Sequence, residues 1–378
     1  MAGRRRPNGE GTIYRRKDGR WEAAMYATTN TGTRKRVRIY GQSRNEVHAK
    51  LTDETAKAHR GVPVPEHGWR LEAYLDYWLE EVIRRVRRPA TYSLYEMIVR
   101  RYLKPGLGKR QLTRLTVPIV QMFMNERLGA GDSVRKVQVM RTVLSSALTR
   151  AMREELLSRN VAQLVALPEW TRKEVQAWSA DEARAFLNAA QVHSLYAAFL
   201  LLLVYGLRRG EVLGLRWSDV DFDNEMIRIR QQVQRVGHQL LIGPTKTHAS
   251  RRDLPMIEMV GAALTKRHDQ QVKRPAASGG TDHDLVFTTA TGRPIEPRNF
   301  VRTFDYLCAA AGVRRIRVHD LRRTVASLLN KLGIPARDAQ LILGHTRIAL
   351  TQEIYTEVDQ ESRADALNRM QGLLAGDR

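Results

Sequence analysis

The sequence has a single cysteine, Cys308, in 378 residues, which excludes an intramolecular disulfide and any cysteine-rich zinc site. Cys308 reads as core filling. No stretch reaches the roughly 18 to 20 apolar residues of a spanning helix, and the opening MAGRRRPNGEG lacks a signal-peptide core. The longest apolar run, LYAAFLLLLVYGL at 195–207, reads as a buried helix of a large domain. A soluble, intracellular chain is expected. No glycine-rich loop ends in Lys and Ser or Thr, so ATP-driven chemistry has no support. No carboxylates or histidines cluster at metal-ligand spacing. SDVDFDNE has the Asp219, Asp221, Asp223 spacing of a calcium loop, but Asn224 stands where glycine is required and Arg230 takes the twelfth position. No metal and no cofactor are expected.

Positive charge is abundant. Lys and Arg number 63 against 40 Asp and Glu, leaving a net charge of +23 that attracts polyanions, nucleic acid first among them. Arginine supplies 51 of the cations and lysine 12. Bidentate recognition of phosphate and guanine explains that excess, and so does a GC-rich genome. Residues 1–168 carry 17 of the 23 net charges, as expected of DNA-gripping modules joined to a more neutral, larger domain.

At this length the chain has room for two or three domains. Residues 1–62 read as a small sheet domain: three strands within GTIYRRKDGRWEAAMYATTNTGTRKRVRIYG, with turns at Lys17-Asp18-Gly19 and Asn30-Thr31-Gly32. Arg34, Arg36 and Arg38 recur with period two and so share one face. That face suits a DNA groove; a merely solvated charged face is the alternative. Ser43 and Glu46 form a capping box opening a helix to about His59. After the linker GVPVPEHG, residues 68–165 read as a helical bundle, with Leu71, Tyr74, Leu75, Trp78, Leu79 and Val82 on one stripe. Helices are expected at about 91–103, 117–128 and 133–152, broken by KPGLGK and GAGD. RRVRR at 84–88 and VRRYLK at 99–104, with Arg100 and Arg101, are taken as backbone contacts to DNA. Residues 172–378 form the last domain, starting from a second capping box at Ser179 and Glu182. MIRIRQQVQRV, HQLLIGPTKTHASRRDLP and LVF suggest one small antiparallel sheet, followed by about four helices.

Within this domain stands a set of cations and one phenol. Arg208 in YGLRRGEVLGLRWSDVDF directly follows the buried helix, where a solvated arginine would be out of place. Lys246 in PTKTHASRRDLP lies on or beside a turn between strands, and HDLRR sets His319 and Arg322 on one helical face. GHTRIALTQEIYT carries His345 and Tyr355. Alone, each is weak evidence, because a lone arginine near a core is more often a structural ion pair and a lone histidine is usually a satisfied core or surface group.

Taken in order, YGLRRGEVLGLRWSDVD, the turn lysine, HDLRRT, LGH and EIYT closely resemble the tyrosine recombinase family, the phage integrases. GTIYRRKDGRWEA is similar to its arm-type DNA-binding domain, and TYSLYEMIVRRYLKPGLGKRQLTRLT to its SAM-like core-binding domain. The resemblance implies a multidomain α+β chain: arm-binding domain, helical core-binding domain, and a mainly helical catalytic domain with a small antiparallel sheet. It implies that Arg208, Lys246, His319, Arg322 and His345 surround one scissile phosphate, with Tyr355 as nucleophile. Tyr205, Arg323 and Val325 depart from commoner residues, none of them at a catalytic position.

The chemistry fits those residue types. Two arginine forks can hold the charge that develops on nonbridging phosphate oxygens. A tyrosine, with a pKa near ~10, must lose its proton during attack, for which His319 is the expected base. His345 would hydrogen-bond the phosphate and Lys246 would protonate the leaving 5′ oxygen. The expected activity is site-specific recombination of double-stranded DNA at core and arm sites, by a homotetramer, for a phage or mobile element. A host DNA-bending protein and an excision factor are possible partners, and the setting is a bacterial cytoplasm. A catalytically silent DNA-binding regulator and a type IB topoisomerase-like enzyme are the alternatives. In the tail ESRADALNRMQGLLAG, an apolar stripe of Ala364, Leu367, Met370, Leu373 and Leu374 packs on a neighbouring protomer or on its own domain.

Overall fold

The computed structural model describes residues 12–28, 34–59, 69–171, 176–245, 247–273, 284–344, 346–356 and 371. Lys246, His345, the Asn30-Thr31-Gly32 turn and the tail stripe lie outside them. The chain divides into two compact units, Met1–Arg172 and Lys173–Arg378.

In the first unit, β1 (Thr12–Arg15), β2 (Trp21–Thr28) and β3 (Arg34–Gly41) form an antiparallel meander in the order β1-β2-β3. The turn between β1 and β2 closes at Gly19, whose φ of 83° suits glycine. Strand alternation divides the residues. Ala23, Met25, Ala27 and Ile39 pack with Val47 and Leu51 of α1 (Arg44–His59), while Arg34, Arg36 and Arg38 are exposed on the other face. At the start of α1 the Ser43 hydroxyl accepts from the Glu46 backbone N–H at 3.1 Å, and the Glu46 carboxylate accepts from Gln42 N, one residue earlier than a reciprocal box requires.

A separate core belongs to the helices α2 (Leu71–Tyr77), α3 (Arg84–Val86), α4 (Pro89–Ile98), α5 (Lys104–Leu107), α6 (Val117–Gly129) and α7 (Val134–Arg153). Two stretches between them, Trp78–Ile83 and Val99–Leu103, are π-helical. The extra residue per turn shifts the buried stripe, so that Ile83 is buried and Val82 only half-buried, a departure from strict 3.6 spacing. KPGLGK was expected to break the helix, yet its first four residues form α5, capped at Gly108.

The second unit is built on α8 (Ala180–Ala190) and α9 (Tyr196–Tyr205). Ser179 and Glu182 make the full reciprocal box that starts α8. Helix α9 is apolar all round because it runs through the core, where Ala197 to Leu203 are all buried. After it come α10 (Arg209–Leu213), β4 (Val220–Asp221), β5 (Met226–Ile229), β6 (Gln231–Val236), β7 (Gln239–Pro244) and β8 (Arg252–Pro255). The single sheet expected there is two: β4-β5-β8 and the hairpin β6-β7. LVF is not a strand of either; Leu285, Val286 and Phe287 are core residues, tied to Arg216 by one bridge. A helix that the pattern did not announce, α11 (Glu258–Val272), precedes them. The chain ends through α12 (Pro297–Ala310), α13 (Leu321–Lys331), α14 (Ala336–Leu343) and α15 (Ala349–Thr356). Cys308 is buried in α12, and burial pushes its thiol up to about 12, as befits core filling.

Gly206 ends α9 with φ 59°, and a Cβ there would stand 2.5 Å from Leu343 Cδ2. Gly206→Ala therefore combines a left-handed alanine with a clash and should cost about 2–3 kcal/mol, read as a lower thermal unfolding midpoint. An unchanged midpoint would refute this account of the turn.

Candidate active site

The left-handed turn at Gly206 directs the chain from the core helix straight into α10, so Arg208 caps that short helix with its side chain one quarter exposed. Glu211, one turn on, is 1% exposed. Its carboxylate accepts from Arg208 twice, from the backbone N–H at 3.0 Å and from Nη1 at 2.6 Å. It also accepts from Arg252 Nη2 at 3.3 Å. One buried carboxylate thus serves two guanidinium groups. Arg208 Nη1 further donates to the Ser250 hydroxyl at 2.8 Å, and its Nη2 donates to the Gly344 carbonyl at 3.4 Å.

Arg252, at the start of β8, has its side chain only 8% exposed. Its Nε donates to Ile342 O at 2.9 Å and its Nη1 to Ser250 O at 3.0 Å, tying α10, the segment before β8 and the end of α14 into one knot. Gly344 belongs to that knot. A Cβ there would meet Arg252 Nη1 at 2.8 Å and Ala249 O at 2.9 Å, and its φ is 65°.

Arg322 comes from α13, packed on α9, and is 5% exposed. Its Nη1 donates to the Gly206 carbonyl at 2.8 Å, so the same turn that aims Arg208 also holds Arg322. Burial, then the cations Arg208 and Arg252, push its guanidinium down to about 9, which leaves it charged at neutral pH. His319 precedes α13 on the short helix Val318–Asp320 and keeps an exposed edge. Loss of water on its protein side, then Arg322, hold it below the usual histidine range, so it is neutral at pH 7 and able to accept a proton.

Tyr355, on α15, is half-buried and donates its hydroxyl to Ile334 O at 3.2 Å. Burial, then Asp338, raise its pKa. Arg208, Arg322 and His319 thus act on one another electrostatically, whereas no hydrogen bond among the described residues joins Tyr355 to them. Thr245 and Thr247, on either side of Lys246, lie in the connection between β7 and β8. Of the basic residues assigned to DNA in the first unit, Arg34, Arg36 and Arg38 lie on the open sheet face. Arg100 is exposed and ion-paired with Glu96 at 3.2 Å, and Arg101 is exposed.

Sequence reasoning missed Glu211, Ser250 and Arg252. Glu211 stands three residues after Arg208 at the start of a helix, a spacing that could have announced it. Arg252 sits inside the charged run SRRDLP, where nothing separates it from Arg251.

Two family models match the chain: the phage integrase family over residues 176–362, and the phage integrase N-terminal SAM-like domain over residues 70–128. A protein described as tyrosine recombinase XerC-like from Caldanaerobacter subterraneus subsp. tengcongensis is 27% identical over 359 residues, covering 89% of this chain and 92% of that protein. Among solved structures, the Tn1549 transposon integrase in complex with a circular intermediate DNA matches 79% of this chain and 99% of that chain, with TM-score 0.66 and 20% identity. A lambda integrase tetramer bound to a Holliday junction matches 93% of this chain and 96% of that chain, with TM-score 0.55 and 20% identity. At these identities the structures show a shared fold.

Glu211→Gln removes the buried counter-charge that Arg208 and Arg252 share. Breaking a buried pair this way costs about 3–5 kcal/mol, so the thermal midpoint should fall by several degrees and recover in part when tens of millimolar sulfate supplies an anion. A variant as stable as wild type, with or without sulfate, would show that the carboxylate does not hold the cations.

Proposed function

The chain belongs to the phage integrase family and is a tyrosine-type site-specific DNA recombinase, and we propose that Tyr355 is its nucleophile, acting within a phosphate pocket made by Arg208, Lys246, His319, Arg322 and His345. The observation that carries this reading is the approach of Arg208 and Arg322, two cations that act on one another beside the single buried carboxylate of Glu211, with Arg322 held on the Gly206 carbonyl at the turn that leads into Arg208.

In the proposed reaction the Tyr355 oxygen attacks the phosphorus in line, the bond to the 5′ oxygen breaks, and a 3′-phosphotyrosyl bond replaces it. The tyrosine proton passes to His319, neutral at pH 7 and therefore ready to take it. Lys246 returns a proton to the 5′ oxygen, and His345 donates to the phosphate. Arg208 and Arg322 hold the charge on the nonbridging oxygens. Because the phosphotyrosyl bond keeps the energy of the broken one, a second 5′ hydroxyl reverses the step without nucleotide or metal. Tyr355 must leave the Ile334 carbonyl to attack, which makes DNA binding and a movement of α15 parts of one event.

Around this step, residues 1–62, 68–165 and 172–378 act as arm-binding, core-binding and catalytic domains, and the basic face with Arg34, Arg36 and Arg38 grips arm DNA. Arg100 and Arg101 contact the core-site backbone. The lambda integrase tetramer supports a tetramer on two core sites; a host bending protein and an excision factor complete the assembly on the bacterial nucleoid.

Covalent trapping tests the nucleophile. Wild type incubated without magnesium on nicked DNA from the junctions of its own element should give an SDS-resistant adduct, and Tyr355→Phe should bind that DNA equally yet give none. Binding by wild type with no adduct would favour the silent regulator. The rate of adduct formation should fall as pH drops through the depressed His319 value, below the ordinary ~6.5, because protonation removes the base. His319→Gln should be slow and lack that acid limb; an unaltered profile would take His319 out of the base role.

A further inference from the structure

The open face of the N-terminal sheet contains a buried anion. Glu22, in the central strand, is 2% exposed although it lies among the cations. Tyr14 of β1 and Tyr40 of β3 are its cross-strand partners, so the three residues form one row across the sheet. Arg16 Nη1 donates to its Oε2 at 2.9 Å, and the Arg16 guanidinium lies over the Tyr40 ring, 5.4 Å from its centre. Arg38 Nε stands 3.7 Å from the buried Oε1 of Glu22. The Tyr14 hydroxyl, then Arg16 and Arg38, hold the carboxyl below the usual carboxylate range, so the anion is present at neutral pH.

A face built for affinity alone would carry no anion. Phosphates approaching Arg34, Arg36 and Arg38 come well within the ~8 Å screening length of this charge and are repelled by it. What the carboxylate supplies is order. Arginine reads guanine through two terminal nitrogens held in the base plane, and Glu22 engages Arg38 through Nε, the nitrogen such an end-on grip does not use. Arg38 remains half exposed while so held.

We propose that Glu22 is a specificity-determining positioning residue: it fixes Arg38, Arg16 and Tyr14 on the sheet and gives the face its preference for particular base pairs, guanine opposite Arg38 among them, at the expense of general affinity. This rests on the reading of the sheet as an arm-DNA surface.

The test uses the full-length chain and a library of random-sequence duplexes. Wild type should enrich a motif dependent on the sheet in addition to its core motif. Glu22→Gln, nearly the same shape without the charge, should lower the preference for the sheet motif over a scrambled duplex about tenfold, with scrambled-duplex affinity unchanged or higher. Arg38→Gln, at an exposed site, should relax the same base pairs and carries the test if Glu22→Gln unfolds the sheet. Uniformly tighter binding by Glu22→Gln with the motif intact would overturn the proposal, leaving Glu22 a mere charge. The double variant Arg34→Ala, Arg36→Ala separates the premise: if it keeps wild-type affinity for both duplexes, the sheet does not bind DNA and both readings fall.

Discussion

The cluster of arginines in the second unit depends on one buried carboxylate, Glu211. Arg208, Arg252 and Arg322 are brought near one another by three stretches of chain far apart in sequence, and like charges withdrawn from water repel strongly. Glu211 answers that repulsion with two oxygens for two guanidinium groups, and other donors of the three arginines go to the Ser250 hydroxyl and to the carbonyls of Gly206, Ser250, Ile342 and Gly344. The arrangement is positively charged in excess of its internal anion. A phosphate fits such a place because it supplies the missing negative charge without requiring any donor to be built anew.

Tyr355, the proposed nucleophile, stands outside this balance. A tyrosine hydroxyl bonded to a carbonyl, with a carboxylate among its nearest charges, is harder to ionise than in water, and the direction of its shift agrees. In the proposed reaction the phenol is therefore activated only once it leaves this position. On that proposal, leaving Asp338 and the Ile334 carbonyl for a cationic pocket would remove one influence that raises the pKa and add others that lower it. Keeping these two environments apart would, on the same proposal, withhold cleavage until DNA is bound.

Much of this was legible in the sequence, and the limits have physical causes. Period-two arginines, the capping residues Ser43 and Ser179, and the apolar run at 195–207 announce their elements because local geometry determines them. The two π-helical stretches were not legible, since nothing in WLEEVI or VRRYL separates an i→i+5 turn from an ordinary one. Likewise the division of the expected sheet into β4-β5-β8 and β6-β7 depends on which strand finds which partner, a non-local choice. In the site, His319 and Arg322 show themselves by helical spacing, but the burial of Arg252 and its grip on Ile342 arise only when β8 meets α14. Charge in a sequence does not say whether it faces water.

Glu22 and Glu211 make the same point in two places. Each is almost fully buried, each binds more than one arginine, and each lies where a polyanion is expected to approach. A cluster of arginines without an internal anion would spread into solvent, every side chain seeking its own hydration, and would meet DNA as a diffuse field. With the anion the cations are fewer in effective charge but fixed in direction. Long-range attraction can then be left to the exposed arginines among the described residues of the first unit, while the two carboxylates settle geometry at the surfaces where direction matters.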